Sequence, residues 1–211
     1  MSLFTIPSAG TPLLQSSAAE RQALAGQLAA DWARDAQAVA AQAATALAVQ
    51  GTDWLVLTLG EALQRRGWQV ATAESCTGGG IATALTAVAG SSAWVEGGWV
   101  TYSNAAKTHL LGVPADTIAT HGAVSLPVVR AMAEGARAGL AVSCAVAVSG
   151  VAGPGGGSPA KPVGTVCLAW ATTAGVQAQQ LHFPGDRAAV RHGTIWVALL
   201  GLLQAASGHS A

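Results

Sequence analysis

The apolar positions of this chain change rhythm at about residue 52. Beyond it, stretches with helical spacing of large apolar residues alternate with short continuous apolar runs, whereas residues 1–51 are rich in Ala and Gln and carry few large apolar groups. Thr52-Asp53 opens a predicted helix that runs through about Arg66 and ends at Gly67, and Trp68–Ala73 follows as a strand. Gly78-Gly79-Gly80 makes a turn into a helical run over Ile81–Val88, and Gly90-Ser91-Ser92 breaks the chain before a strand over Trp94–Tyr102. Asn104 then caps a short helix. The spacing further predicts a helix over Pro127–Leu140, a buried strand over Ser143–Ser149, a Gly/Pro loop over Val151–Pro162, and strands over Gly164–Ala171 and Val176–Phe183 that pair with each other. Asp186 caps the last helix, which carries Ile195, Leu199 and Leu202 on one face to about Gln204. Helices interleaved with strands imply an α/β (α+β layered) fold: a single sheet of mixed strands covered by helices, with an N-terminal helical extension.

The extension spans residues 1–51, the main domain 52–206 and a short tail 207–211. Ser17-Ala18-Ala19-Glu20 has the spacing of a capping box, in which each side chain satisfies the other residue's free backbone amide, and it starts an Ala-rich helix. Composition suits a solvated or oligomer-packing helix there. At 211 residues with zero formal net charge and 9% charged residues, the chain lacks the basic footprint of a nucleic-acid binder. No uninterrupted apolar run reaches the roughly 20 residues that span a bilayer, and Met1–Gln15 lacks the basic start and apolar stretch of a secretory signal. A cytoplasmic protein without membrane partners is expected. Cys76, Cys144 and Cys167 form no C-x-x-C pair and are odd in number, so reduced thiols are expected rather than a disulfide or zinc site. Core positions are expected for most of the seven tryptophans.

The stretch Ala73-Glu74-Ser75-Cys76-Thr77-Gly78-Gly79-Gly80 is a hydroxyl- and glycine-rich turn between a strand and a helix. Free amides at such a helix start can hold a phosphate or a developing oxyanion, and Ser75 stands where a nucleophile would. Ser75 and Thr77 are equally suited to capping the helix. A nucleophilic serine needs a base. His109, His121, His182 and His192 lie in no comparable turn, and the chain has no G-x-S-x-G elbow and no S-x-x-K pair. Only two of the ten basic residues are lysines, Lys107 and Lys161, and only lysine can lose its proton to act as a base. Lys107 falls in the first turn of the helix after Val100-Thr101-Tyr102-Ser103-Asn104, where the helix dipole disfavours positive charge. A solvated lysine is the competing reading. Ser149 to Gly164, containing Gly150 and Gly153, has the length and glycine content of a substrate-enclosing loop but matches neither a dinucleotide fingerprint nor a P-loop. Phe183-Pro184-Gly185-Asp186-Arg187 puts Arg187 in a helix's first turn, available to a phosphate or to solvent.

Taken together, Thr72–Gly80, Ala89–Trp94, Val100–Lys107, His121–Ser125, Ser149–Gly164 and Phe183–Arg187 resemble, in order, the motifs of the nicotinamide mononucleotide deamidase family, which includes the C-terminal domain of competence/damage-inducible CinA-type proteins. The resemblance runs from about Asp53 to Leu203. It implies hydrolysis of nicotinamide mononucleotide to nicotinic acid mononucleotide and ammonia without metal or organic cofactor, with Ser75 as nucleophile, Lys107 as base and Tyr102 in a proton-network or positioning role. Backbone amides near Thr77 and Gly78 would hold the oxyanion, with Gly79, Ser149, Gly150, Gly153 and Arg187 about the substrate. A homodimer or larger homo-oligomer is also implied. The competing classes are a non-catalytic nucleotide-binding module and an amidohydrolase of another carboxamide. The large N-terminal domain of some relatives has no counterpart in the 51 residues before the motif region.

Overall fold

The computed structural model describes residues 16–208; residues 1–15 of the extension and 209–211 of the tail lie outside the described residues. In chain order the elements are α1 (Ala18–Arg34), α2 (Ala36–Gln50), α3 (Asp53–Arg66), β1 (Val70–Glu74), α4 (Gly80–Thr86), β2 (Val95–Val100), α5 (Asn104–Leu111), α6 (Ala115–His121), α7 (Leu126–Gly139), β3 (Cys144–Gly150), β4 (Thr165–Thr172), β5 (Gly175–His182) and α8 (Arg187–Ser207). The strands form one sheet in the order β2-β1-β3-β4-β5. β2, β1 and β3 are parallel, and β3, β4 and β5 antiparallel, so the mixed sheet expected from the sequence is present.

Alternation within the central strands decides how the helices sit. Val70, Cys144, Val146, Val148, Val166, Leu168 and Trp170 face one apolar cluster, shared with α1, α2, α3, α4 and α8. Ala71, Ala73, Ala145, Ala147, Cys167, Ala169 and Ala171 face the other, shared with α7, the end of α5 and Ile118 of α6. A strand surface of alanines lets α7 lie close, while larger residues fill the space under α8. Five tryptophans, Trp32, Trp54, Trp94, Trp170 and Trp196, are buried, and Trp32 meets Trp170 edge-on at 5.8 Å.

Several boundaries differ from expectation for identifiable reasons. β1 begins two residues late, at Val70. Thr52 makes no side-chain cap, and the short helix after β2 is capped by Ser103, which accepts from the Ala106 amide, rather than by Asn104. α6 has no counterpart in the sequence reading; it is seven residues long and buries only Ile118. α1 and α2 are not solvated: Leu28, Trp32, Ala40 and Ala43 are buried in the same cluster as α8. The capping box at Ser17 and Glu20 is formed. α8 has the length and apolarity to cross a membrane, but most of it is buried inside the protein, which accounts for that composition.

Candidate active site

The parallel strands end together. Ser75 follows β1, Thr101 and Tyr102 follow β2, and Ser149 and Gly150 close β3. The helix leaving β1 packs on one face of the sheet and the helices leaving β2 contribute to the other. Such an arrangement opens a crevice beyond the carboxyl ends of the strands, the usual place for a ligand in an open α/β sheet. Here it is a cleft of about 200 Å³ whose lining includes Ser75, Tyr102, Lys107, Ser149, Gly150 and Arg187.

Within it the Lys107 Nζ lies 3.1 Å from the Ser75 Oγ. Lys107 is 1% exposed, and its amine donates to the carbonyl of Thr101 at 2.8 Å and to that of Tyr102 at 3.4 Å. No carboxylate forms an ion pair with it among the described residues. Burial therefore lowers the Lys107 pKa, because the ammonium loses its hydration without gaining a counter-charge. In its neutral form the amine would spend its two N–H groups on these carbonyls and turn its lone pair to the Ser75 hydroxyl. The neighbouring Cys76 is a poor rival nucleophile: burial, reinforced by the charge of Glu74, pushes its thiol up to about 12. None of His109, His121, His182 and His192 lines the cleft.

The turn after β1 is organised by a residue absent from the sequence-based site. Glu74 is fully buried and its carboxylate accepts from the Thr77 hydroxyl at 2.6 Å and from the amides of Gly79, Ile81 and Ala82 at 3.0, 3.0 and 2.8 Å. The sequence signal available was an acid ending a strand six residues before a helix. Neither Ser75 nor Thr77 caps α4. The Thr77 hydroxyl and the Gly79 amide are committed to Glu74, and the Gly78 amide donates to the Ser75 carbonyl at 3.1 Å, so these groups are not free to meet a ligand. The amides of Cys76 and Thr77 have no protein acceptor among the described residues.

Tyr102 is 62% exposed, and its phenol accepts from Arg187 at 3.3 Å rather than reaching the Ser75–Lys107 pair. Arg187 also donates to the Gly153 carbonyl at 2.9 Å, tying the glycine-rich loop to α8, which Asp186 caps. Arg187 joins the cleft to a neighbouring depression of about 660 Å³, whose wall includes Arg191. Arg191, one turn after Arg187, donates to the Thr77 carbonyl at 2.8 Å; the i, i+4 spacing of the two arginines was the signal that could have found it. Ser149 is buried at the cleft wall, and a side chain at Gly150 would meet Val166 and the Thr165 carbonyl. Lys161 donates to the His121 carbonyl at 3.0 Å and lies outside the cleft.

A hydroxyl and a buried amine without a carboxylate partner thus stand together at the carboxyl ends of the parallel strands in a layered α/β protein. Comparison with known proteins gives the family. The model of the CinA C-terminal domain matches residues 52–206, and the chain belongs to that family. It is 61% identical over 150 residues to the nicotinamide-nucleotide amidohydrolase PncC of Pseudomonas putida, covering 71% of this chain and 94% of that one. Identity to the Escherichia coli (strain K12) protein of the same name is 53% over 147 residues, 69% of this chain and 89% of that one. Among solved structures, the competence/damage inducible protein CihA from Agrobacterium tumefaciens superposes with a TM-score of 0.71 at 44% identity, covering 74% of this chain and 94% of that one.

Proposed function

We propose that this protein is a nicotinamide-nucleotide amidohydrolase that converts nicotinamide mononucleotide to nicotinic acid mononucleotide and ammonia. The observation that carries the reading is the buried Lys107 amine, without a carboxylate partner, 3.1 Å from the Ser75 hydroxyl in a cleft of small-molecule size. The near relatives bearing that name are covered almost end to end.

The geometry supports the following sequence. Lys107 takes the Ser75 proton as Oγ attacks the carboxamide carbon, and the carbonyl electrons move onto oxygen. The unengaged amides of Cys76 and Thr77 are the donors for that oxyanion. As the tetrahedral adduct collapses, the C–N bond breaks and Lys107 returns the proton to the departing nitrogen, giving ammonia and a Ser75 ester. Water then attacks the ester while Lys107 accepts its proton, and the carboxylate product leaves as Ser75 recovers its hydrogen. Arg187, at the junction of the cleft and the neighbouring depression, is placed for the anionic end of the nucleotide, with Tyr102 steering it. No metal or organic cofactor takes part, and the enzyme works in the cytoplasm as a homodimer or larger assembly.

Ammonia release from nicotinamide mononucleotide by purified protein tests this, beside Ser75→Ala and Lys107→Ala variants checked by circular dichroism. Release by the parent and a loss of about 10³-fold or more in each variant is expected for removal of a nucleophile or its base. A folded parent that binds the nucleotide without releasing ammonia would make it a binding module instead.

A further inference from the structure

The Ser75–Lys107 pair has no support of its own in the sequence: its members are 32 positions apart and come from different strand–helix junctions. Glu74 connects both. Its side chain gathers the Thr77 hydroxyl and three amides of the α4 start, which fixes the turn holding Ser75. Its main-chain carbonyl accepts from the Thr101 amide at 2.7 Å, and the Thr101 carbonyl in turn accepts from the Lys107 amine. The carboxylate is fully buried with four donors and, among the described residues, no cationic partner, so the helix start supplies its compensation. A buried charge held this way is costly to retain for stability alone, since an apolar residue and a serine or asparagine cap would close the same helix.

We propose that Glu74 is the positioning residue of this site: by engaging the Gly79, Ile81 and Ala82 amides it withholds them from the cleft, leaves those of Cys76 and Thr77 for the oxyanion, and aims Ser75 at Lys107. The proposal rests on the Ser/Lys reading given above. Glu74 touches neither substrate nor the reacting atoms, and its effect passes through the turn. Oε2 takes three of the donors and Oε1 the Ala82 amide, so glutamine, which keeps the volume, must present an NH₂ group to an amide N–H at one of these positions.

The test uses the full chain and two readouts on Glu74→Gln, Thr77→Val and Thr77→Ser. The first is kcat and KM for ammonia release; the second is the rate at which a fluorophosphonate labels Ser75, which needs an activated serine but no nucleotide. Glu74→Gln is expected to lower kcat and the labelling rate together by about tenfold to a hundredfold, the scale of a misplaced nucleophile, with KM little changed. Rates are normalised to the folded fraction, so lost stability alone leaves kcat per folded molecule unmoved. Thr77→Val removes one donor and keeps the turn's bulk; it is expected to lose activity several-fold, with Thr77→Ser restoring it. Should Glu74→Gln fail to fold, the threonine pair decides. Parent-like kcat and labelling in folded Glu74→Gln, or in Thr77→Val where Glu74→Gln does not fold, overturns the proposal. A parent that labels at Ser75 but releases no ammonia would refute the deamidase reading alone, and labelling would still judge Glu74. A parent that does not label overturns both, because it has no activated serine to position.

Discussion

The proposed chemistry turns on Lys107, and the burial of this residue makes two predictions about pH. In the proposed mechanism the neutral amine is the base, so kcat/KM should rise with pH through a midpoint below the ordinary lysine value, burial having lowered the pKa. The stability consequence has the same direction. The unfolded lysine titrates at about 10.4 and the folded one lower, so between the two the unfolded chain binds more protons and stability rises with pH. Below the folded pKa the full penalty of the buried ammonium is present; above the unfolded pKa it vanishes. Lys107→Met lacks this dependence. Its melting temperature relative to the parent should therefore improve as pH falls from about 10 toward neutrality, while activity is abolished; a difference flat with pH, measured by scanning calorimetry, would contradict a neutral Lys107. Cys76, pushed up to about 12, stays a thiol throughout and adds nothing to the profile.

The helices are what convert these residues into a site, and α5 is the one that must be placed accurately. Ser103 caps it, Lys107 sits four residues later, and its last residue, Leu111, lies against α7 at Gly135. A methyl group at Gly135 would stand 1.9 Å from the Leu111 carbonyl, an approach no side chain can make, and the obstruction is backbone rather than a rotatable group. Gly135→Ala should therefore cost about 1–3 kcal/mol of stability, the scale of overpacking a tight contact, read by urea unfolding. Because α5 must shift to relieve it, the folded variant should also lose kcat. A variant with parent-like stability would show that α5 and α7 are not in this close contact. The opposite face is built on contrast: α8 rests on Val, Leu and Trp side chains of the sheet, while α7 rests on alanines.

At the scale of the whole molecule, the N-terminal helices are structural members of the domain. Trp32 is 3% exposed and meets Trp170, whose indole N–H donates to the Ala198 carbonyl of α8 at 3.0 Å. Gln37 of α2 exchanges hydrogen bonds with the His182 backbone at the end of β5, at 2.6 and 2.9 Å. Trp32→Ala is expected to cost about 3–5 kcal/mol, as for other fully buried large aromatics, checked by denaturant titration. Deleting residues 1–51 bares the apolar faces of α3 and α8 that Leu28, Trp32, Ala40 and Ala43 cover. The shortened chain should melt at a lower temperature and self-associate on size-exclusion chromatography, as large exposed apolar patches do. A shortened chain as stable and monodisperse as the parent would show that the extension contributes nothing to the core.

Much of this was legible in the chain itself because it depends on neighbours in sequence. Strand-length apolar runs, the Ser17–Glu20 and Asp186 caps and the glycine turn at 78–80 are local patterns, and the sequence read each at about its observed place. Ser75 was set apart by its turn and Lys107 by the scarcity of lysine. Tertiary structure alone decided the rest. Strand order, which brings Ser75 and Lys107 to 3.1 Å, is fixed by which faces bury against which helices, a long-range matter that periodicity does not encode. The burial of α1 and α2 was hidden because small alanines read as a solvated surface until a partner of matching shape, α8, is laid against them. Glu74 was missed for a related reason: an acid in a strand reads as exposed, and only the folded turn, by delivering four donors to one carboxylate, makes its burial affordable.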